Sequence, residues 1–145
     1  MAACTFFGHR DAPTSIAPIL RSVLTRLIVC NDVRLFYVGN HGNFDAMVHQ
    51  VLQELAQLYP ITFHVVLAYR PKKEADTTDF SDTILPDGIE TLPIRFAIEY
   101  RNKWMIQRSK YAITYVTTPI ASGAARFKAL CEKQEKTVIE IADRA

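Results

Sequence analysis

Leu35-Phe36-Tyr37-Val38-Gly39-Asn40-His41-Gly42-Asn43-Phe44-Asp45 carries the chain from an apolar run, through a glycine-bearing turn, into a helical pattern. The stretch reads as a strand, a tight loop and the start of a helix. Such a junction aims backbone N–H groups and the positive end of a helix dipole into one small volume, which suits a phosphate or a carboxylate.

The flanking sequence repeats this alternation. Ala3 to Phe7 reads as a short buried strand, and after a cap at Thr14 or Ser15 the residues Ile16, Ile19, Leu20, Val23, Leu24, Leu27 and Ile28 recur at helical spacing. Pro18 fits only in the first turn of that helix, where its missing N–H does no harm. Arg34 to Val38 forms the second strand, and the following helix carries Phe44, Met47, Val48, Val51, Leu52, Leu55 and Leu58 on one stripe until Pro60 closes it. Ile61 to Ala68 is nearly continuous in apolar and β-branched residues, the expected look of a central parallel strand buried on both faces. The polar, threonine-rich stretch from Tyr69 to Asp82 reads as a loop or lid. A helix is expected from Pro93 to about Ser109, a strand over Tyr111 to Thr117, a last helix opening at Ser122 or Gly123, and a closing strand over Thr137 to Ile141. Strands that alternate with helices need crossover connections, so the expected fold is a single α/β domain over residues 1–145. It is Rossmann-like and three-layered, with a mainly parallel five-stranded sheet and helices on both faces. In such a sheet the ligand crevice lies beyond the carboxyl ends of the strands.

Gross features narrow the class of function. A chain of 145 residues with 49% hydrophobic and 22% charged content is one ordinary domain with a real core. A net charge of +2 gives no broad electrostatic footprint, so neither direct nucleic-acid binding nor membrane binding is expected. The longest apolar stretches, such as Ile61 to Tyr69, fall far short of the roughly 20 residues that span a bilayer. No signal segment opens the sequence, which makes a cytoplasmic protein the expectation. Cys4, Cys30 and Cys131 are widely spaced and read as small buried hydrophobes rather than a disulfide or zinc framework.

Four glycines, Gly8, Gly39, Gly42 and Gly123, fall at the carboxyl ends of expected strands, so the segments around Gly8 and Gly123 join the opening loop at one edge, where the fold also brings the segment around Arg101. Phe7-Gly8-His9-Arg10-Asp11 places an imidazole and a guanidinium after the first strand; they either meet a ligand or hold one another and Asp11. His41 and Asn43 carry the same ambiguity. Asp45 is either a first-turn acid complementing the helix dipole or a contact for a ribose hydroxyl. Arg101 shares a stripe with Ile94, Ala97, Ile98, Trp104 and Met105, while Asn102 and Glu99 lie off it. A guanidinium on a packing face needs a partner, either a carboxylate of the protein or an anionic ligand. Ser122 is either a plain N-cap or a phosphate contact at a helix start of small residues. The spacing of His9, His41 and Asp45 matches no standard metal-ligand pattern, and neither metal nor bound cofactor is expected.

Taken together, Phe7-Gly8-His9-Arg10, Val38 to Asp45, Pro71, Arg101-Asn102-Lys103-Trp104-Met105 and Ser122-Gly123-Ala124-Ala125 resemble the SLOG superfamily. This is the Rossmann-like group shared by the DNA-processing protein DprA and the cytokinin-activating LOG enzymes, and the resemblance is closest to its small YspA/YpsA-like bacterial branch. It spans about residues 4 to 141. The resemblance implies a domain that binds a nucleotide or nucleotide-derived small molecule and that self-associates. Ligand contacts are expected from Gly8, His9, Arg10, Gly39, Asn40, His41, Gly42, Asn43, Asp45, Arg101, Asn102, Ser122 and Gly123. Where LOG enzymes carry a glycine-rich segment followed by a catalytic glutamate, this chain reads Ala121-Ser122-Gly123-Ala124-Ala125-Arg126-Phe127, with no acid until Glu132. Binding, or sensing, is therefore expected ahead of phosphoribohydrolase activity, with Asp45, Glu90 and Glu99 the acids nearest the motifs. A non-catalytic protein-interaction module is the third alternative.

Overall fold

The computed structural model describes residues 2–69, 83–117 and 122–144. Strand β1 (Ala3–Gly8) runs through the sheet with Ala3 to Phe7 all buried, the pattern of a strand covered on both faces. Successive side chains of a strand point to opposite faces, so Cys4 and Phe6 join one apolar cluster and Phe7 another. The first face is covered by α1 (Ala17–Asn31) and α2 (Gly42–Ala56), which bury Leu20, Leu24, Phe44, Val48 and Leu52. The second is covered by α3 (Ile94–Gln107) and α4 (Gly123–Lys133), through Met105, Ile106, Phe127 and Cys131.

The other strands are β2 (Leu35–Val38), β3 (Thr62–Val66), β4 (Thr83–Ile84), β5 (Tyr111–Tyr115) and β6 (Thr137–Glu140). Their order is β4-β3-β2-β1-β5-β6, and every pairing is parallel. The chain builds outward from β1 to β4, then crosses back to lay β5 on the free side of β1. Right-handed crossovers running in opposite directions put the two helix pairs on opposite faces. The strand order thus reverses between β1 and β5.

Four expectations are corrected. The sheet has six strands rather than five, because β4 is only two residues long and too short to show a period. β3 is not a central strand: it lies one place from the edge, and β4 pairs only with Val65 and Val66, leaving its first half partly open. Neither Thr14 nor Ser15 caps α1; they belong to a 3-10 turn that ends at Ile16, the residue at the N-cap position. Cys30 is exposed, whereas Cys4 and Cys131 are buried as expected. Pro18 does sit in the first turn of α1. Most of the expected Tyr69–Asp82 loop, with Pro71, lies outside the described residues, as do Pro119, Ile120 and Ala121. Among the described residues no helix is long and apolar enough to cross a membrane.

The loop after β2 is locked against the loop after β1. The backbone N–H of Asn43 donates to the Arg10 carbonyl at 2.8 Å, and Gly42 has a φ of +85°. A Cβ at Gly42 would meet the Cα of Arg10 at 2.8 Å, and backbone cannot move aside as a side-chain tip can. Replacing Gly42 by Ala is expected to destabilise the fold by about 1–3 kcal/mol in urea unfolding. Gly123→Ala, with nothing within 4 Å of its added methyl, should be neutral or stabilising by up to about 1 kcal/mol.

Candidate functional site

Beyond the carboxyl ends of β1 and β5, at the reversal of strand order, lies a cleft of about 370 Å³. This is where open parallel sheets place their ligands. β1 contributes Phe6, Phe7 and Gly8 to its wall, and Arg10 follows from the next loop. Ile98, Arg101, Asn102 and Met105 come from α3, at the i, i+3, i+4, i+7 spacing of one helical face. α4 adds Gly123, Ala124, Arg126 and Phe127, and the start of α2 adds His41 and Asp45.

Arg101 is the centre of the arrangement. It is only 2% exposed, yet no carboxylate among the described residues forms an ion pair with it. Its guanidinium is held instead by neutral acceptors. Nε donates to Asn102 Oδ1 at 2.7 Å, and Nη1 donates to Asn40 Oδ1 at 3.2 Å and to the Val66 carbonyl at 3.0 Å. Nη2 meets His41 Nδ1 at 3.2 Å. Burial lowers the pKa of Arg101, opposed by the nearby Asp45 and Tyr69, but a guanidinium stays charged at any physiological pH.

This contact fixes the state of His41. A guanidinium only donates, so Nδ1 must be the acceptor, and the ring proton sits on Nε2. Nε2 is 3.0 Å from the Tyr69 hydroxyl and donates to it. Burial, then the charges of Arg101 and Arg10, push the His41 pKa down and keep the ring neutral. Asp45 Oδ2 accepts from the backbone N–H of His41 at 3.0 Å. Burial pushes the Asp45 carboxyl up to about 6, against the pull of that hydrogen bond and of Arg101 and Arg10.

The chain matches no protein-family model, and no curated protein is significantly similar to it.

Of the residues expected to touch a ligand, Gly8, Arg10, His41, Asp45, Arg101, Asn102 and Gly123 line the cleft together. The others do not line it. His9 Nε2 accepts from the Thr117 N–H at 2.9 Å, and its ring meets Tyr115 edge-on. Asn40 acts on Arg101, Gly42 and Asn43 brace the Arg10 backbone, and Ser122 Oγ accepts from Ala125 N at 3.0 Å as an N-cap. Gly39 leaves room for protein groups rather than phosphate, since a Cβ there would lie 2.7 Å from Asp45 Oδ2 and 3.0 Å from Arg101 Nη1. Asn102 was expected off the buried face of α3 and is on it, while Ile94, expected on it, is 54% exposed. Neither Glu90 nor Glu99 reaches the cleft wall.

The sequence reading missed Phe7, Phe127 and Arg126 as cleft residues, and missed Tyr69 and Glu140, which hold neighbouring groups without lining the cleft. Phe7 and Phe127 stack with centroids 5.5 Å apart and form an aromatic wall. Glu140, at the carboxyl end of β6, gathers hydrogen bonds from Thr114 Oγ1, the N–H groups of Val116 and Ala142, and Lys128 Nζ. It ties the exit of β5 to α4, which fixes the wall opposite Arg101. Burial would raise its pKa, but these donors outweigh it and leave the pKa below the ordinary glutamate value. A lowered folded-state pKa stabilises fully above the unfolded value, and that contribution disappears as pH falls through the folded one. Glu140→Gln should therefore lose about 1–3 kcal/mol at pH 7. In urea titrations across pH 3–7 its stability should fall less steeply with acid than that of the parent.

Proposed function

We propose that the cleft binds a nucleotide or nucleotide-derived anion, in keeping with the resemblance of the motifs to the SLOG superfamily, and that the chain acts as a binding or sensing domain. The observation that carries this reading is Arg101, a buried cation solvated by neutral acceptors and facing a cleft at the strand-order reversal. Solvating a charge with dipoles holds its geometry without cancelling it, so the cleft keeps a positive potential that an anion can answer. Arg10 adds to that field, and the aromatic wall of Phe7 and Phe127 offers an apolar surface for a base.

Titration calorimetry with AMP tests the reading. Arg101→Ala should weaken binding by about 30-fold or more and Arg10→Ala by about tenfold, the worth of charge-assisted hydrogen bonds. Circular dichroism and the Arg101→Lys variant separate loss of the site from loss of the fold. Native-like binding by Arg101→Ala would sink the assignment.

Asp45 adds a pH dependence. Its raised pKa of about 6 means the acid takes up a proton as pH falls from 7.5 to 5.5, removing the nearest negative charge from Arg101. Anion affinity should rise over that interval relative to Asp45→Asn, with the ionisation of the phosphate itself common to both proteins.

One observation favours a second reading, cleavage of an N-glycosidic bond: Asp45 lines the cleft with a pKa suited to proton transfer near neutrality. Release of free base from AMP, abolished in Asp45→Asn, would establish it.

A further inference from the structure

The cleft does not end at α4. A second cavity of about 300 Å³ runs between α3 and α4, and Arg126 and Phe127 line both. Arg126 therefore stands at the junction, and two contacts preorganise it. Its guanidinium lies over the Phe127 ring, 4.8 Å from the centroid, and Nη2 is 3.3 Å from Glu99 Oε1. The position is electrostatically wrong for a structural cation. It lies one turn into α4, near the positive end of the helix dipole, and that first turn holds no acid. The second cavity carries Lys103 and Lys133 as well, against Glu99 alone. Three cations thus gather around this groove against one carboxylate, Glu99, which Arg126 shares with Lys103.

Building on the nucleotide reading above, we propose that Arg126 is a second anion-binding residue and that the ligand is a nucleotide carrying two separated anionic groups. One group meets Arg101 and Arg10. The other reaches Arg126 at the mouth of the α3/α4 groove, and the body of the ligand lies along Phe7 and Phe127 between them. Glu99 holds the guanidinium in place until the ligand's anion takes over as its counter-charge.

Calorimetry with AMP and with adenosine 3′,5′-bisphosphate tests this directly, because the two probes differ only in the second phosphate. The native protein should bind the bisphosphate about tenfold tighter than AMP. Arg126→Ala should erase that preference to within about twofold, weakening the bisphosphate far more than AMP. Arg126→Glu should go further and make the bisphosphate the weaker ligand. The side chain is 63% exposed, so neither variant threatens the fold. Equal binding of the two probes by the native protein, or equal weakening of both by Arg126→Ala, overturns the inference and leaves the nucleotide reading standing. Failure of the native protein to bind AMP at all overturns both.

Discussion

A guanidinium buried as deeply as that of Arg101 loses its hydration, and the structure must replace it atom by atom. The replacements come from separate segments: Asn40 and His41 from the loop after β2, the carbonyl of Val66 at the end of β3, and Asn102 beside it on α3. Each segment has to arrive at the right height on the sheet for the set to close. The register of β2 against β3 and the placement of α3 over the second face are therefore coupled through one side chain. His41 extends the coupling by a further step, because accepting from Arg101 forces it to donate to Tyr69. Nothing in the set is anionic, which keeps the geometry rigid and the charge unspent.

Glu140 shows the opposite solution at the same edge of the sheet. Its carboxylate collects backbone N–H groups, a hydroxyl and the Lys128 ammonium, so its charge is answered inside the fold. One end of the edge is electrostatically closed and the other open. The proposed ligand site lies at the open end for that reason and not for its glycines.

Apolar periodicity made α1, α2 and the buried half of α3 legible, because each keeps a stripe at helical spacing. β4 was not legible, since two residues carry no period. β3 was misread because an apolar run reports hydrophobicity and not the number of neighbouring strands. The cleft lining was legible where chemistry sits just past a strand, as with Arg10 and Asp45, and where a charge shares an apolar helical stripe, as with Arg101. Arg126 and Phe127 were hidden in what reads as an ordinary helix, and Asn40 and Gly39 were read as touching ligand when they serve Arg101. A sequence shows which groups reach an edge; which of them hold one another is decided by packing.

Gly39 joins these points. Its missing side chain is the space in which Asp45 Oδ2 and Arg101 Nη1 approach the same stretch of backbone. The two charges come close enough to shift each other's ionisation, without the direct pairing that would neutralise both. Burial tips Asp45 toward its neutral form, and each step in that direction frees more of the Arg101 field for the cleft. Asp45 is also committed to the N–H of His41, a bond that favours the carboxylate and ties it to the loop. An acid so placed modulates the charge beside it more directly than it attacks or protonates a substrate. That placement favours the proposed reading, binding with an affinity tuned by proton occupancy, over catalysis by Asp45.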